Sequence, residues 1–141
     1  MKDGHTAKGY ESLFAKAAGT FWGYTGCELV RMDDRKVTAG LDVKPHHLNM
    51  LGIVHGGVYS TLLDSVMGLA AMAVRPEHTV VTSGLNVHFL APVRSGRITA
   101  VAEIILVSGR TIMAKGTLTD ESGEICSAAT ATFRVLEKRA D

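Results

Sequence analysis

The stretch from Val54 to Val74, VHGGVYSTLLDSVMGLAAMAV, limits more than any other what this chain can fold into. It is the most apolar run in the sequence and nearly long enough to cross a bilayer. Asp64, however, stands close to its middle, where membrane insertion would cost roughly 2.5–3.5 kcal/mol. Gly56, Gly57, Tyr59, Ser60, Thr61 and Ser65 dilute the run further. These residues predict a helix from about Gly56 to Val74 that is buried in a soluble core. Arg75-Pro76 ends it, because the residue before a proline avoids the helical region. A carboxylate inside such a helix must be hydrogen-bonded, paired, open to a cavity or protonated.

The flanking segments have other periods. Tyr10, Leu13, Phe14 and Ala17 follow helical spacing up to Gly19, which predicts an N-terminal helical segment within residues 1–19. Cys27 to Met32 reads as a strand. Lys36 to Val43 alternates as one, with Val37, Ala39, Leu41 and Val43 on one face. Residues 44–51 read as a loop. After the long helix the period is two. Leu85, Val87 and Phe89 share a face, as do Ile98, Ala100, Ala102, Ile104 and Leu106. Ile112, Ala114, Gly116 and Leu118 form the next such row, and Ile125, Ala129, Ala131, Phe133 and Val135 the last. The turns Ser108-Gly109 and Glu121-Ser122-Gly123 are short, which implies antiparallel neighbours. No βαβ rhythm is present, so a doubly wound sheet is not expected. The expectation is an α+β fold in one domain, residues 1–141. Its antiparallel sheet wraps nearly all round one long central helix, which accounts for the helix having no polar face.

Charge and composition exclude several functions. Fifteen Lys and Arg against fourteen Asp and Glu leave a net charge of +1, no basis for binding nucleic acid or an anionic membrane. Aromatic residues are 6%, too few for a base-stacking platform. Cys27 and Cys126 form no metal or redox spacing and read as reduced, buried thiols. His46, His47 and His55 lack a Cys, Asp or Glu at a metal-binding spacing, so no metal is expected. Met1 to Gly9 is polar with no apolar h-region, which predicts a cytoplasmic protein.

On the helix, Gly57, Ser60, Thr61, Asp64, Gly68 and Ala71 share one side, and all but Asp64 are small. Val58, Leu62, Val66, Leu69 and Ala73 make an ordinary core face. The small side is either a tight packing seam or a narrow slot ending at a carboxylate. Gly56 and Gly57 occupy the first turn, where amides lack partners and the helix dipole favours a developing oxyanion.

The segment Asn49-Met50-Leu51-Gly52-Ile53-Val54-His55-Gly56-Gly57, followed by Thr61-Leu62-Leu63-Asp64, resembles the signature of hotdog-fold acyl-CoA thioesterases. The branch is that of 4-hydroxybenzoyl-CoA and phenylacetate-degradation thioesterases, and the likeness extends over roughly residues 20 to 136. By this resemblance Asp64 acts as nucleophile or as general base on water, and Asn49 positions water or the thioester. The Gly56 N–H polarises the carbonyl, His55 orders the loop and approaches the thioester, and Thr82 assists. Gly57, Thr61, Gly68 and Ser83 would line the substrate. The Glu-bearing branch has a Thr one turn after its carboxylate, where this chain has Gly68.

Gly56 and Asp64 are eight residues apart, about 12 Å along a helix, so one thioester carbon cannot touch both. Two chains solve this, with Asn49 and Gly56 from one and Asp64 from the other across a two-fold axis. The resemblance implies at least a homodimer, and a homotetramer as in similar proteins. It implies an acyl-CoA substrate with aryl or short to medium acyl groups. No cofactor is expected, coenzyme A being part of the substrate, and Arg94, Arg97 and Arg110 are candidates for its phosphates. The rival readings are a hotdog acyl-thioester dehydratase or hydratase, and a non-catalytic acyl-CoA binding module.

Overall fold

The computed structural model describes residues 11–138, and within them the period-two segments form one antiparallel sheet. Its strands are β1 (Glu28–Met32), β2 (Lys36–Asp42), β3 (His78–Phe89), β4 (Arg97–Ser108), β5 (Thr111–Thr119) and β6 (Ile125–Lys138). They lie in the order β1-β2-β4-β5-β6-β3, so β1 and β3 are the edges. The helices are α1 (Glu11–Ala17), α2 (Phe21–Thr25) and α3 (Gly56–Val74). Pro45–His47 adds one 3-10 turn to the expected loop. The expected α1 includes Tyr10, which lies outside the described residues, as does Met1 to Gly9. The short turns join β4 to β5 and β5 to β6 as antiparallel neighbours, as the sequence predicts.

Alternation decides the core. Ile98, Ala100, Ala102, Ile112, Ala114, Leu118, Ala131 and Phe133 turn inward from β4, β5 and β6 and are buried. Small residues dominate this inner row, so α3 seats close to the sheet and packs against β2 to β6. The approach is tightest at Gly116, where an added Cβ would lie 3.1 Å from Leu63 Cδ2. Helix α3 buries Tyr59, Leu62, Leu63, Val66, Met67, Leu69, Ala70 and Ala71. By length and composition α3 is apolar enough to cross a membrane, but this arc is covered by the sheet. Cys27 and Cys126 are free and buried as expected, and burial pushes both thiols up.

Three expectations need correction. The sheet does not wrap α3 nearly all round. Ser60, Thr61, Asp64, Ser65 and Gly68 stay partly exposed, with only α1 and α2 beside part of them. A six-stranded sheet curls over one side of a helix and leaves the other open. The buried arc is also rotated from the expected one, so Leu63 and Met67 are core while Val58 and Ala73 are half-exposed. Thirdly, Leu85 and Phe89 on β3 are 40% and 56% exposed, because β3 is an edge strand and only part of it, with Val80 and Val87, packs against the core.

Candidate active site

Asp64 occupies the open side of α3, and its position answers the question its sequence context raises. The Thr82 Oγ1 hydroxyl, from edge strand β3, donates to Asp64 Oδ1 at 2.8 Å. The carboxylate is half-exposed and borders a cavity of about 460 Å3 with Ser65, Gly68, Thr82 and Phe133. It also borders a smaller cleft of about 230 Å3 with Ser60, Thr61, Ser65 and Leu85. An apolar helix tolerates this charge because it is hydrogen-bonded and wet, two of the conditions open to it.

The start of α3 is built differently. His55 is the N-cap residue, and its Nδ1 accepts the Gly57 N–H at 2.8 Å. That bond corrects the expectation of two open amides: Gly57 N–H is taken, and Gly56 N–H is the one without a partner among the described residues. A Cβ at Gly57 would lie 2.9 Å from His55 Nδ1, and one at Gly56 would lie 3.1 Å from Phe89 Cε1. A side chain at Gly57 would thus crowd the His55 cap, and one at Gly56 would press on the Phe89 ring. Ser60 and Thr61 hydroxyls donate back to the Gly56 and Gly57 carbonyls at 3.0 and 2.7 Å.

The preceding loop is self-braced. Asn49 Oδ1 accepts the Leu51 N–H at 2.9 Å and the Ile53 N–H at 3.4 Å, which fixes the amide group and leaves its NH2 uncommitted among the described residues. Asn49, Gly56, Tyr59 and Phe89 border a second cavity of about 420 Å3. Tyr59 and Phe89 stack with ring centroids 6.2 Å apart, and Tyr59 Oη donates to the Ala91 carbonyl at 3.0 Å. Burial, with the Cys126 and Asp120 charges adding to it, pushes the Tyr59 phenol up to about 12.

The predicted residues thus fall into two groups within one chain. Asp64, Thr82 and Gly68 meet at one cavity, with Thr61 at the adjoining cleft. Asn49 and Gly56 meet at the other, beside the His55–Gly57 cap. Ser83 joins neither: its hydroxyl donates to the Thr132 carbonyl at 3.1 Å, at the bulge in the β3–β6 register. Of the three arginines, Arg97 is committed to Glu28 and Asp42 at 2.9 and 3.2 Å and ties β4 to β1 and β2. Tyr59 and Phe89 were not singled out from sequence, nor were Phe14 and Trp22, which border the Asp64 cavity. A tyrosine within the apolar helix and a lone tryptophan were the available signals.

Residues 51–127 match the sequence model of the thioesterase superfamily. The chain is similar to the 1,4-dihydroxy-2-naphthoyl-CoA hydrolase of Listeria monocytogenes, at 29% identity over 81% of this chain and 94% of that one. Among solved structures it is similar to the thioesterase HI1161 of Haemophilus influenzae, at 25% identity and a TM-score of 0.83 over 90% of each chain. It shares its fold with the PaaI protein of Escherichia coli, at 16% identity, with a TM-score of 0.88 over 98% of each chain.

Proposed function

This chain belongs to the thioesterase superfamily and has its hotdog fold, and from that premise we propose that it hydrolyses acyl-CoA thioesters to free coenzyme A and a carboxylic acid. One observation carries the reading: a carboxylate half-exposed at a cavity, with one oxygen held by Thr82 and the other free among the described residues. That arrangement suits a base that takes a proton from water, or a nucleophile. In the first route water attacks the thioester carbon as Asp64 accepts its proton. The oxygen of the tetrahedral intermediate is stabilised by a Gly56 N–H at the helix start. The C–S bond then breaks and the coenzyme A sulfur takes the proton from Asp64. In the second route Asp64 attacks and expels the thiolate, and water cleaves the mixed anhydride. Asn49 steers the substrate or water through its uncommitted NH2, and His55 holds the Gly57 amide and with it the helix start.

The separation of the two groups supports a site shared between subunits, with Asn49 and Gly56 of one chain facing Asp64 of another. The long unpaired edge β3, which carries Thr82, is the natural seam for that dimer, and a tetramer would pair two such dimers. Subunit mixing tests this directly. Asp64→Ala and Asn49→Ala proteins are each expected to be inactive when free-thiol release is followed. Mixed one to one and re-equilibrated, half the dimers are hybrids with one intact site each. About a quarter of wild-type activity should then return. No recovery in demonstrated hybrids rules out the shared site. Absorbance loss at a conjugated double bond, without thiol release, would instead indicate a hydratase or dehydratase.

A further inference from the structure

Strand β3 presents side chains to α3 at an irregular spacing. Residues directly opposite on neighbouring strands share a face. Thr82, Leu85 and Val87 stand opposite Phe133, Ala131 and Ala129 of β6, and all three of these partners are buried. On β6 the partners follow each other at steps of two, as strand geometry requires. On β3 the steps are three and then two. The same change of face separates Val80 from Val87, which are an odd number of residues apart although both pack against the core. One inserted residue accounts for it. The register passes from Thr82–Phe133 to Gly84–Thr132, which makes Ser83 the extra residue of a bulge. From Gly84 to Phe89 the pairing then runs on without a break.

The bulge has its own fastening. Ser83 Oγ lies 3.1 Å from the Thr132 carbonyl oxygen, to which it donates, and 3.1 Å from the Thr132 hydroxyl. Gly84 makes room for this pair, since a Cβ there would lie 2.9 Å from Thr132 Oγ1. Edge strand β3 is held on one side only, by β6. A slip of the extra residue by one place would turn the neighbouring side chains to the other face. Two adjacent hydroxyls, Thr82 and Ser83, thus compete for the place that faces Asp64. Tying Ser83 to Thr132 commits Thr82 to that place, with its Oγ1 2.8 Å from Asp64 Oδ1. We propose that Ser83 and Thr132 are positioning residues of the Asp64 site, which act on catalysis through Thr82 by pinning the bulge between their strands. The proposal rests on the thioesterase reading given above.

The test follows free-thiol release by the whole protein from acetyl-CoA, hexanoyl-CoA and phenylacetyl-CoA, and separates kcat from KM on the substrate turned over fastest. Thr82→Val is expected to lower kcat about ten-fold or more, the scale of a lost hydrogen bond to a charged group. Ser83→Ala is expected to lower kcat about three-fold or more with KM unchanged, the mark of an interaction that counts only in the transition state. Ser83→Thr keeps the hydroxyl and should keep the wild-type kcat. The double variant decides how Ser83 acts. If it works through Thr82, adding Ser83→Ala to Thr82→Val costs nothing further, whereas general loosening of the fold would add its own loss. A second loss as large as the first overturns the proposal, as does a wild-type kcat in Ser83→Ala, or a Ser83→Thr protein as slow as Ser83→Ala. Each of these leaves the thioesterase reading intact. Should Ser83→Ala fail to fold, Thr132→Val loosens the fastening from β6. Its kcat is expected to fall about two-fold or more, again without effect in Thr82→Val, and a wild-type kcat there overturns the proposal. If wild type releases no thiol from any of the three substrates, the thioesterase reading fails and the proposal falls with it.

Discussion

His47 uses both ring nitrogens inside the protein, though its sequence context is an ordinary polar loop. The Lys44 N–H donates to Nδ1 at 2.9 Å, so the ring proton sits on Nε2, which donates to the Thr25 carbonyl at 2.6 Å. The His47 carbonyl in turn accepts the His55 N–H at 2.9 Å, which links α2, the Asn49 loop and the start of α3. His47→Ala strands a buried carbonyl and an amide, and is expected to destabilise the fold by about 1–3 kcal/mol in urea unfolding followed by circular dichroism. Tyr59 makes a second prediction, with a pH signature. Its phenol lies near 10 when unfolded and is pushed up to about 12 in the fold, chiefly by burial. The native state therefore holds the proton more tightly, and the stability this contributes is full below pH 10 and lost as pH rises towards 12. Tyr59→Phe should cost about 1 kcal/mol at neutral pH through the lost bond to Ala91, and should unfold less steeply than wild type across that alkaline window. These two residues also mark how far sequence reading reaches at this scale. Asp64 was legible because a carboxylate in an apolar run breaks a rule and demands a partner. His47 and Tyr59 were not, because their partners are backbone groups that only the folded chain brings to them.

Elements were legible where a period ran long enough to be unambiguous. The nineteen residues of α3 and the alternating strands β2, β4, β5 and β6 stand close to their expected bounds. The five-residue helix α2, FWGYT, was not foreseen. Phe, Trp, Tyr and Thr favour strands, and Gly23 weakens a helix, so its helicity comes from packing and not from propensity. The same distinction separates which side of α3 is buried from the fact that α3 is a helix. The apolar residues set the second, whereas the first depends on where small residues in the sheet let the helix settle. Gly116 is the critical point. Gly116→Val would push into Leu63 and Met67 at 3.1 and 3.4 Å and is expected to lose about 1–3 kcal/mol, overriding the better strand propensity of valine. A thermal melt checks it, and a melting temperature equal to or above wild type would mean that the helix shifts freely over the sheet.

At the level of the whole molecule, the two edges of the sheet are treated differently, and the difference points to assembly. Edge β1 is five residues long, is interrupted by a bulge between Leu29 and Arg31, and carries Glu28 and Arg31. A short, bulged, charged edge resists pairing with another chain. Edge β3 is twelve residues long, and its Val81, Leu85 and Phe89 are 42%, 40% and 56% exposed. The neighbouring Leu90, Met50 and Leu51 are exposed as well. Such an edge is a template for a second strand, and a two-fold axis through it would pair β3 with β3 and close the exposure on both chains. The same axis would bring two copies of Thr82 and Asp64 to the seam, where the proposed mechanism needs a partner's Gly56. Stability and activity should therefore depend on concentration together. The melting temperature is expected to rise with protein concentration, since association stabilises only the folded state. Activity per subunit is expected to stay constant at high concentration and to fall on dilution over the range in which sedimentation shows dimers separating. Full activity per subunit from demonstrated monomers would mean that Asp64 works with groups of its own chain, and the shared site would have to be given up.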